Sequence, residues 1–401
     1  MSKSLVEYLM KLIEIQEGLG TFLVPESNTE YHIPRRSDEV FFNFHQEINR
    51  DLSVLTLRAY GNLNSKSGLI VCEPLCGVGI RSIRYAMEAP TSNIYCNDIN
   101  FNAVKIAQEN INRLSKANSK KIKIFNMEAN TFLQTLNTKD IIFDFIDIDP
   151  YGTPIPFVHN SIHLITLYGL IAFTATDLAS LVGLYPRALY AKYGIGQLES
   201  DIGNIHEIAS RALITGIQQV GLTLGQSLIP IVTFYHRHFV RCFFIRKRGV
   251  DSVIDKTGFI NLCEKCKTRF ISKLGEKRSS CSVCGAFNGK KIGPLFLGKI
   301  QQSNYLLSML RDEHLVKMGT RKRLMRYLPL IIEETSLDIP WTFDIPSLAK
   351  KEKTPVPPLT HIVEILDEMG YKACKTHFSG SSLKTNADEA EICSVIRSLK
   401  S

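Results

Sequence analysis

The chain has 401 residues, 44% of them hydrophobic and 22% charged, and a formal net charge of +9. That length allows two or three domains with a sizeable core. No stretch resembles a signal peptide and no run approaches the roughly 18 apolar residues of a membrane span, so a soluble, intracellular protein with no membrane partner is expected.

Ten cysteines fit a reducing compartment. Four lie in two Cys-x-x-Cys pairs and the other six are scattered among apolar neighbours, a pattern of metal ligands plus buried thiols rather than disulfides. The charge is uneven. Residues 235–330 carry 21 Lys+Arg against 6 Asp+Glu, whereas the remainder carries 27 against 33. The basic stretch is the candidate polyanion face, with an ordinary solvated surface as the alternative.

In chain order, an amphipathic stretch from Leu5 to Ile15 reads as a short helix. A hairpin around Glu17-Gly18-Leu19-Gly20 follows. Val40-Phe41-Phe42-Asn43-Phe44 supplies core phenylalanines or a ring beside a ligand, and a helix is expected from His45 to Tyr60. From 68 to 180 strands alternate with helices. The strands are 68–73, 93–97, 122–126, 141–147 and 169–175, and the helices 80–88, 102–114 and 156–167. Such alternation implies an α/β fold with a parallel sheet, which binds ligands beyond the carboxyl ends of its strands.

The strand ends carry the chemistry. After Glu73, the turn Cys76-Gly77-Val78-Gly79 lets the backbone approach a ligand at a helix N-terminus. Asp98 closes the second strand, where an acid commonly receives a ribose hydroxyl pair. With Asp149 after the fourth strand, this set of acids suits a nucleoside-type ligand and disfavours a pyrophosphate. The run Phe143-Asp144-Phe145-Ile146-Asp147-Ile148-Asp149-Pro150-Tyr151-Gly152 ends in a carboxylate, a prolyl carbonyl and an aromatic ring. Such a corner suits chemistry on the exocyclic amine of a planar base. A strand-to-turn corner with a buried tyrosine is the alternative reading.

Further on, a helix is expected over 197–219. A strand pair, 227–235 and 239–246, turns at Tyr235-His236-Arg237-His238, a tip read as facing nucleic acid. Cys263-x2-Cys266 and Cys281-x2-Cys284 have the two-knuckle spacing of a structural zinc ribbon, and four thiolates leave no open position for catalysis. Basic helices over 304–311 and 320–328, a linker at 350–358, a helix over 360–369, a short hairpin and a last helix over 388–399 suggest an α+β, winged-helix-like C-terminal domain. Arg321-Lys322-Arg323 with Arg326 could meet RNA phosphates or simply face solvent.

The chain resembles the tRNA (guanine-26-N2)-dimethyltransferases. The resemblance rests on Val40-Phe41-Phe42-Asn43, Asn49-Arg50-Asp51, Gly79-Ile80-Arg81-Ser82-Ile83-Arg84, Asn97-Asp98-Ile99 and Asp147-Ile148-Asp149-Pro150-Tyr151-Gly152. It continues through Thr174-Ala175-Thr176-Asp177, His206-Glu207 with Arg211, and Thr376-His377-Phe378 with Lys384-Thr385, all in order along the chain. It implies a Rossmann-like class I methyltransferase domain using S-adenosylmethionine, transfer of one or two methyl groups to N2 of guanine 26, tRNA as partner with no obligate protein partner evident, and a structural Zn2+ module. By position, Arg50, Arg81, Asp98, Glu128 and Ala129 would contact the cofactor. Asp149 and Pro150 would accept from the guanine amine, and Tyr151 and Phe41 would sandwich the flipped base. Cys263, Cys266, Cys281 and Cys284 would hold the metal. The implied organisation is an active-site-completing N-terminal hairpin and helix (1–60), the methyltransferase domain (61–250), the zinc module (251–299) and a tRNA-binding C-terminal domain (300–401). The compartment would be nucleus or cytoplasm if the chain is eukaryotic. The residues alone also allow an amino-methyltransferase acting on another RNA or DNA base, or an inactive zinc-containing RNA-binding protein.

Overall fold

The computed structural model describes residues 11–26, 39–196, 198, 204–276, 280–281, 283–287 and 289–399. They fall into two compact units. One comprises the described residues up to Ile148 together with Arg311–Leu324, the other Asp149–Leu310 and the described residues from Met325 onward.

In the first unit, β1 (Leu12–Glu17) and β2 (Gly20–Pro25) form an antiparallel hairpin, with Gly18 in its turn at φ 56°. Leu12–Ile15 is therefore strand, not the end of the expected helix, because the Leu-Ile-Glu-Ile pattern also satisfies a period of two. The start of that expected helix, through residue 10, lies outside the described residues. The helix α1 (Glu47–Leu63) is buried along most of its length. Four strands follow, each joined to the next by helix: β3 (Leu69–Glu73), α2 (Ile80–Glu88), β4 (Thr91–Asn97), α3 (Phe101–Asn112), α4 (Lys116–Ser119), β5 (Ile122–Phe125), α5 (Ala129–Asn137) and β6 (Phe143–Ile148). The strands pair in parallel in the order β5-β4-β3-β6, so their carboxyl ends share one edge. The short α5 went unforeseen because its apolar anchors, Phe132, Leu133 and Leu136, sit among polar residues.

The second unit begins with α6 (Ile155–Leu164), β7 (Ile165–Ala175), α7 (Leu178–Leu181), α8 (Pro186–Tyr193), α9 (Ile205–Thr223), β8 (Gln226–His236) and β9 (Phe239–Arg248). Here β7 and β8 both pair antiparallel with β9. β8 and β9 are the strand pair expected at 227–235 and 239–246, joined by a tight turn rather than a crossover and so antiparallel. The strand β7 starts at Ile165, not 169, and shortens the expected helix, as the β-branched Ile165-Thr166 pair favours.

A three-stranded antiparallel sheet follows α10 (Asp251–Ile254), with β10 (Thr257–Cys263) between β11 (Arg269–Lys273) and β12 (Gly289–Phe296). After α11 (Ser303–Leu310) and α12 (Arg321–Glu334), the C-terminal residues form β13 (Phe343–Asp344), α13 (Ile345–Lys351), α14 (Leu359–Glu368), β14 (Ala373–Lys375), β15 (Ser382–Thr385) and α15 (Glu389–Ser398). Their core gathers Phe343, Ile362, Leu366, Leu383 and Ile392. A capping box of Asp388 and Glu391 starts α15. The expected linker at 350 begins inside α13, whose last turn holds Lys350 and Lys351. No described helix is long and apolar enough to cross a membrane.

Candidate active site

In the first unit, the loops beyond β3, β4 and β5 are tied together by one buried side chain. Asn97 donates from Nδ2 to the carbonyls of Pro74 (3.0 Å) and Met127 (2.9 Å), and its Oδ1 accepts from Met127 N–H (3.0 Å). Within this frame Gly77 and Gly79 take φ 53° and 80°, left-handed values that glycine adopts without strain. A Cβ at Gly79 would come within 3.0 Å of the Ala107 Cβ. Asp98 Oδ2 accepts from Gly77 N–H at 2.8 Å and Oδ1 from Asn100 N–H at 2.9 Å. Burial pushes the Asp98 carboxyl up, while the N–H groups of Asn100, Gly77 and Ile99 oppose the rise. The half-buried carboxylate beside a glycine turn can accept further hydroxyl donors on its remaining lone pairs.

Glu128 caps α5. Its Oε2 accepts from Thr131 N–H (2.8 Å) and Thr131 Oγ1 (3.2 Å), and its carboxyl lies below the usual range because these donors and the N–H groups of Asn130 and Ala129 outweigh desolvation. Its side chain is therefore engaged with its own helix, and Ala129 beside it is buried.

The two arginines sit deeper. Arg50 lies over the Phe42 ring (5.2 Å) and donates to Glu17 Oε1 (2.7 Å), Glu17 Oε2 (2.5 Å) and the Asn43 carbonyl (3.2 Å). Arg81 Nη1 donates to Asn49 Oδ1, Ser53 Oγ and Asp147 Oδ2, each at 3.1 Å, and its Nε faces Glu73 Oε1 at 3.4 Å. Behind them the fully buried Arg84 meets Glu17 (2.9 Å), Asp51 (2.7 Å) and Glu88 (3.0 Å). These three carboxylates raise its already high pKa against the desolvation that would lower it. Returning residues complete the network. Thr320 N–H donates to Asp51 Oδ2 (3.0 Å), and His314 Nε2 lies 3.0 Å from Glu88 Oε2. Of the three phenylalanines, Phe42 is buried and Phe41 is 41% exposed.

In the second unit, the Asp149–Gly152 corner is held by groups that sequence reasoning did not single out individually. Gly152, at φ 97°, donates its N–H to Thr176 Oγ1 (2.7 Å), and Thr176 N–H returns to the Gly152 carbonyl (2.9 Å). Tyr193 O–H bridges Thr153 Oγ1 (2.9 Å) and Asp177 Oδ1 (2.7 Å), and Asp177 Oδ2 takes Lys192 Nζ (2.7 Å). Asp149 is half-buried and Pro150 buried. The Tyr151 ring is 61% exposed, which disposes of the buried-tyrosine alternative.

Comparison with known proteins shows the family of the chain. The family model for N2,N2-dimethylguanosine tRNA methyltransferase matches residues 18–397. The chain belongs to that family. A tRNA (guanine(26)-N(2)/guanine(27)-N(2))-dimethyltransferase of Aquifex aeolicus is 32% identical over 389 residues, covering 94% of each chain. A tRNA (guanine(26)-N(2))-dimethyltransferase of Pyrobaculum islandicum is 33% identical over 393 residues, covering 96% of this chain and 99% of its own. The structure is similar to that of Trm1 from Pyrococcus horikoshii in complex with S-adenosyl-L-methionine, with a TM-score of 0.79 at 27% identity over 96% of this chain and 99% of that one. The Rossmann-like class I methyltransferase fold follows.

Two further constellations mark this dimethyltransferase-family chain. The thiols of Cys263, Cys266, Cys281 and Cys284 converge within 4.8 Å of one another. Their two knuckles share one geometry: the N–H of Lys267 and of Gly285 each returns to the carbonyl of the cysteine four residues before, at 2.9 and 2.8 Å, with φ of 63° and 71°. Four sulfurs so placed suit tetrahedral zinc. The second is the His206, Glu207 and Arg211 set on α9. Glu207 Oε1 takes both Arg211 Nη2 (2.9 Å) and Lys384 Nζ (2.8 Å), and His206 stacks on Tyr235 at 4.2 Å with Nδ1 2.9 Å from the Phe378 carbonyl. These residues anchor the C-terminal segment. The expected histidine tip is only partly outward, since His236 stacks on Phe234 (5.7 Å) and edges against Tyr327, leaving Arg237 and His238 exposed.

Proposed function

We propose that this chain is a tRNA (guanine-N2)-dimethyltransferase acting at guanine 26, with S-adenosylmethionine as methyl donor. The observation that carries the reading is the Asp149-Pro150-Tyr151-Gly152 corner. Thr176 pins it, and it presents a half-buried carboxylate beside an open aromatic ring in a chain of this family.

The fit to the cofactor is chemical. The Gly77–Gly79 turn leaves backbone space, and the Asp98 carboxylate offers lone pairs for a ribose diol. Arg50, Arg81, Glu128 and Ala129 complete the proposed cofactor set, with Arg81 held by Asn49, Ser53 and Asp147 and Glu128 acting through the helix end it caps. The bound cofactor supplies an electrophilic methyl group on a sulfonium.

The chain's own residues deal with the amine. Guanine N2 is a weak nucleophile because its lone pair is delocalised into the ring. The Asp149 carboxylate and the Pro150 carbonyl accept its two N–H bonds, and Asp149 takes the proton that leaves when nitrogen gains a methyl. Positioning of this kind can contribute much of the rate. The exposed Tyr151 ring is the stacking platform for an extruded base, and Phe41 is the second stacking residue of the proposal. Segment 1–60 completes the cofactor side, a reading supported by Glu17 of the hairpin holding Arg50. The remaining division is methyltransferase domain to 250, zinc module to 299 and tRNA-binding domain beyond, with zinc on the four cysteines.

Incubating a tRNA transcript with enzyme and labelled S-adenosylmethionine, followed by nucleoside mass spectrometry, tests the reading. N2-methyl- and N2,N2-dimethylguanosine are expected, and a methylated adenosine would replace the substrate assignment. Asp149→Ala should abolish transfer while calorimetry shows retained cofactor affinity. Persistent turnover in that variant would refute the role of Asp149.

A further inference from the structure

We propose that a lysine-lined cavity beside the four-cysteine module is a binding site for a backbone phosphate of the RNA substrate, a proposal that rests on the reading of tRNA as substrate. The cavity, about 680 Å³, lies wholly within the second unit. Four lysines from four separate places in the chain line it: Lys247 near the end of β9, Lys256 after α10, Lys273 at the end of β11 and Lys299 beyond β12.

Two carboxylates, Asp255 and Asp338, also line it, so the lining carries a surplus of two positive charges. Among the described residues none of the four lysines is in an ion pair, and only Lys299 Nζ has a polar partner, the Thr335 carbonyl at 3.3 Å. All four are exposed, so their hydrated ammonium groups can turn toward an anion that enters the recess. The neutral lining adds donors of the kind phosphates use. Ser303 and Asn304 form the first turn of α11, a turn with no acidic residue, and Ser252 and Gln302 are close by.

The walls are fixed before any ligand arrives. Gln301 bonds the Thr233 backbone through both ends of its amide, at 2.9 and 2.5 Å, and Gln302 N–H donates to the Ile231 carbonyl at 2.8 Å. Arg211 holds the Phe296 and Gly298 carbonyls at 2.9 and 3.0 Å. The arginine of the α9 set thus also shapes this cavity. A preformed cationic recess is a site for positioning a polyanion, not for reading a base.

The test compares wild type with Lys256→Gln/Lys273→Gln, which keeps most of each exposed side chain. A charge-matched control, Lys116→Gln/Lys139→Gln, lies far along the sequence on α4 and after α5. tRNA binding is measured against salt without cofactor, with zinc content and thermal midpoint as checks of folding. The cavity variant should lower the slope of log K against log salt by about 1 to 2 relative to wild type and control. Its KM for tRNA should rise in proportion to the lost affinity. An unchanged slope and KM would overturn the proposal. Calorimetry with inorganic phosphate supplies the second arm. If the cavity variant loses phosphate binding but keeps wild-type tRNA affinity, the site serves a free phosphorylated molecule and the RNA assignment falls. Because binding is read without methyl transfer, a shallower slope in an enzyme that fails to methylate tRNA would support the cavity while overturning the functional reading.

Discussion

Glu17 of the N-terminal hairpin clasps Arg50 with both carboxylate oxygens, 2.5 Å to Nη2 and 2.7 Å to Nε, while Oε1 also takes Arg84 at 2.9 Å. One acid therefore neutralises two buried arginines, and burial alone would raise its carboxyl, but the two guanidinium groups hold it below the ordinary value. Removing one partner of a buried pair leaves an uncompensated charge, at a cost of about 3–5 kcal/mol. Glu17→Ala should lose stability of that order in urea unfolding. A loss below about 1 kcal/mol would show that the pair contributes little beyond its own desolvation.

Glu47 faces the opposite problem. Desolvation first, then repulsion from Glu17 and Asp51, pushes its carboxyl from 4.5 up to about 7, against the attraction of Arg50 and Arg84. The folded state therefore holds a proton that the unfolded chain has released. Its stabilising contribution is complete below pH 4.5 and is lost as pH rises through 7. Urea midpoints measured between about pH 5 and 8 should decline less steeply for Glu47→Gln than for wild type. Parallel pH profiles would assign the slope to other groups.

Asp98 holds the glycine turn and offers the acceptors of the proposed ribose contact. A hydrogen bond to a charged group is worth about 1.5–3 kcal/mol. Asp98→Ala should weaken S-adenosylmethionine binding by roughly ten- to a hundredfold, read by calorimetry. Affinity equal to wild type would place the cofactor elsewhere.

Cys281→Ser removes one of four converging thiols. Metal analysis should show zinc lost from the purified protein, and limited proteolysis should open the chain between β10 and β12. Unchanged metal content would remove the cluster as a zinc site.

The cysteine knuckles were legible in full, because the chemistry of a Cys-x-x-Cys pair is written in adjacent residues. The strand ends carrying Asp98 and Asp149 were legible for a related reason: apolar residues cluster just before each acid, and Pro150 and Gly152 mark the turn after β6. Leu12–Ile15 misled because four residues cannot separate a helical period from a strand period. The ion network was not legible at all. Glu17 and Arg84 are 67 positions apart, and Glu88 and His314 are 226 apart, so no local pattern links them. Asn97 and Thr176 were hidden differently. Each was visible inside a motif, but its work as a loop clamp depends on backbone carbonyls and N–H groups that sequence does not locate.

The return of Arg311–Leu324 to the first unit has a consequence for how the chain is made. Asp51 and Glu88 receive Thr320 and His314 as partners only after those residues exist. On a ribosome adding about 5–20 residues per second, the sheet strands through β6 would wait roughly ten to thirty seconds for them. During that interval the nascent first unit holds buried acids without their last donors, while the entire stretch from Asp149 to Leu310 emerges. The described residues of the first unit up to Ile148 thus reach their full set of hydrogen bonds only once Arg311–Leu324 has been made, long after their own synthesis.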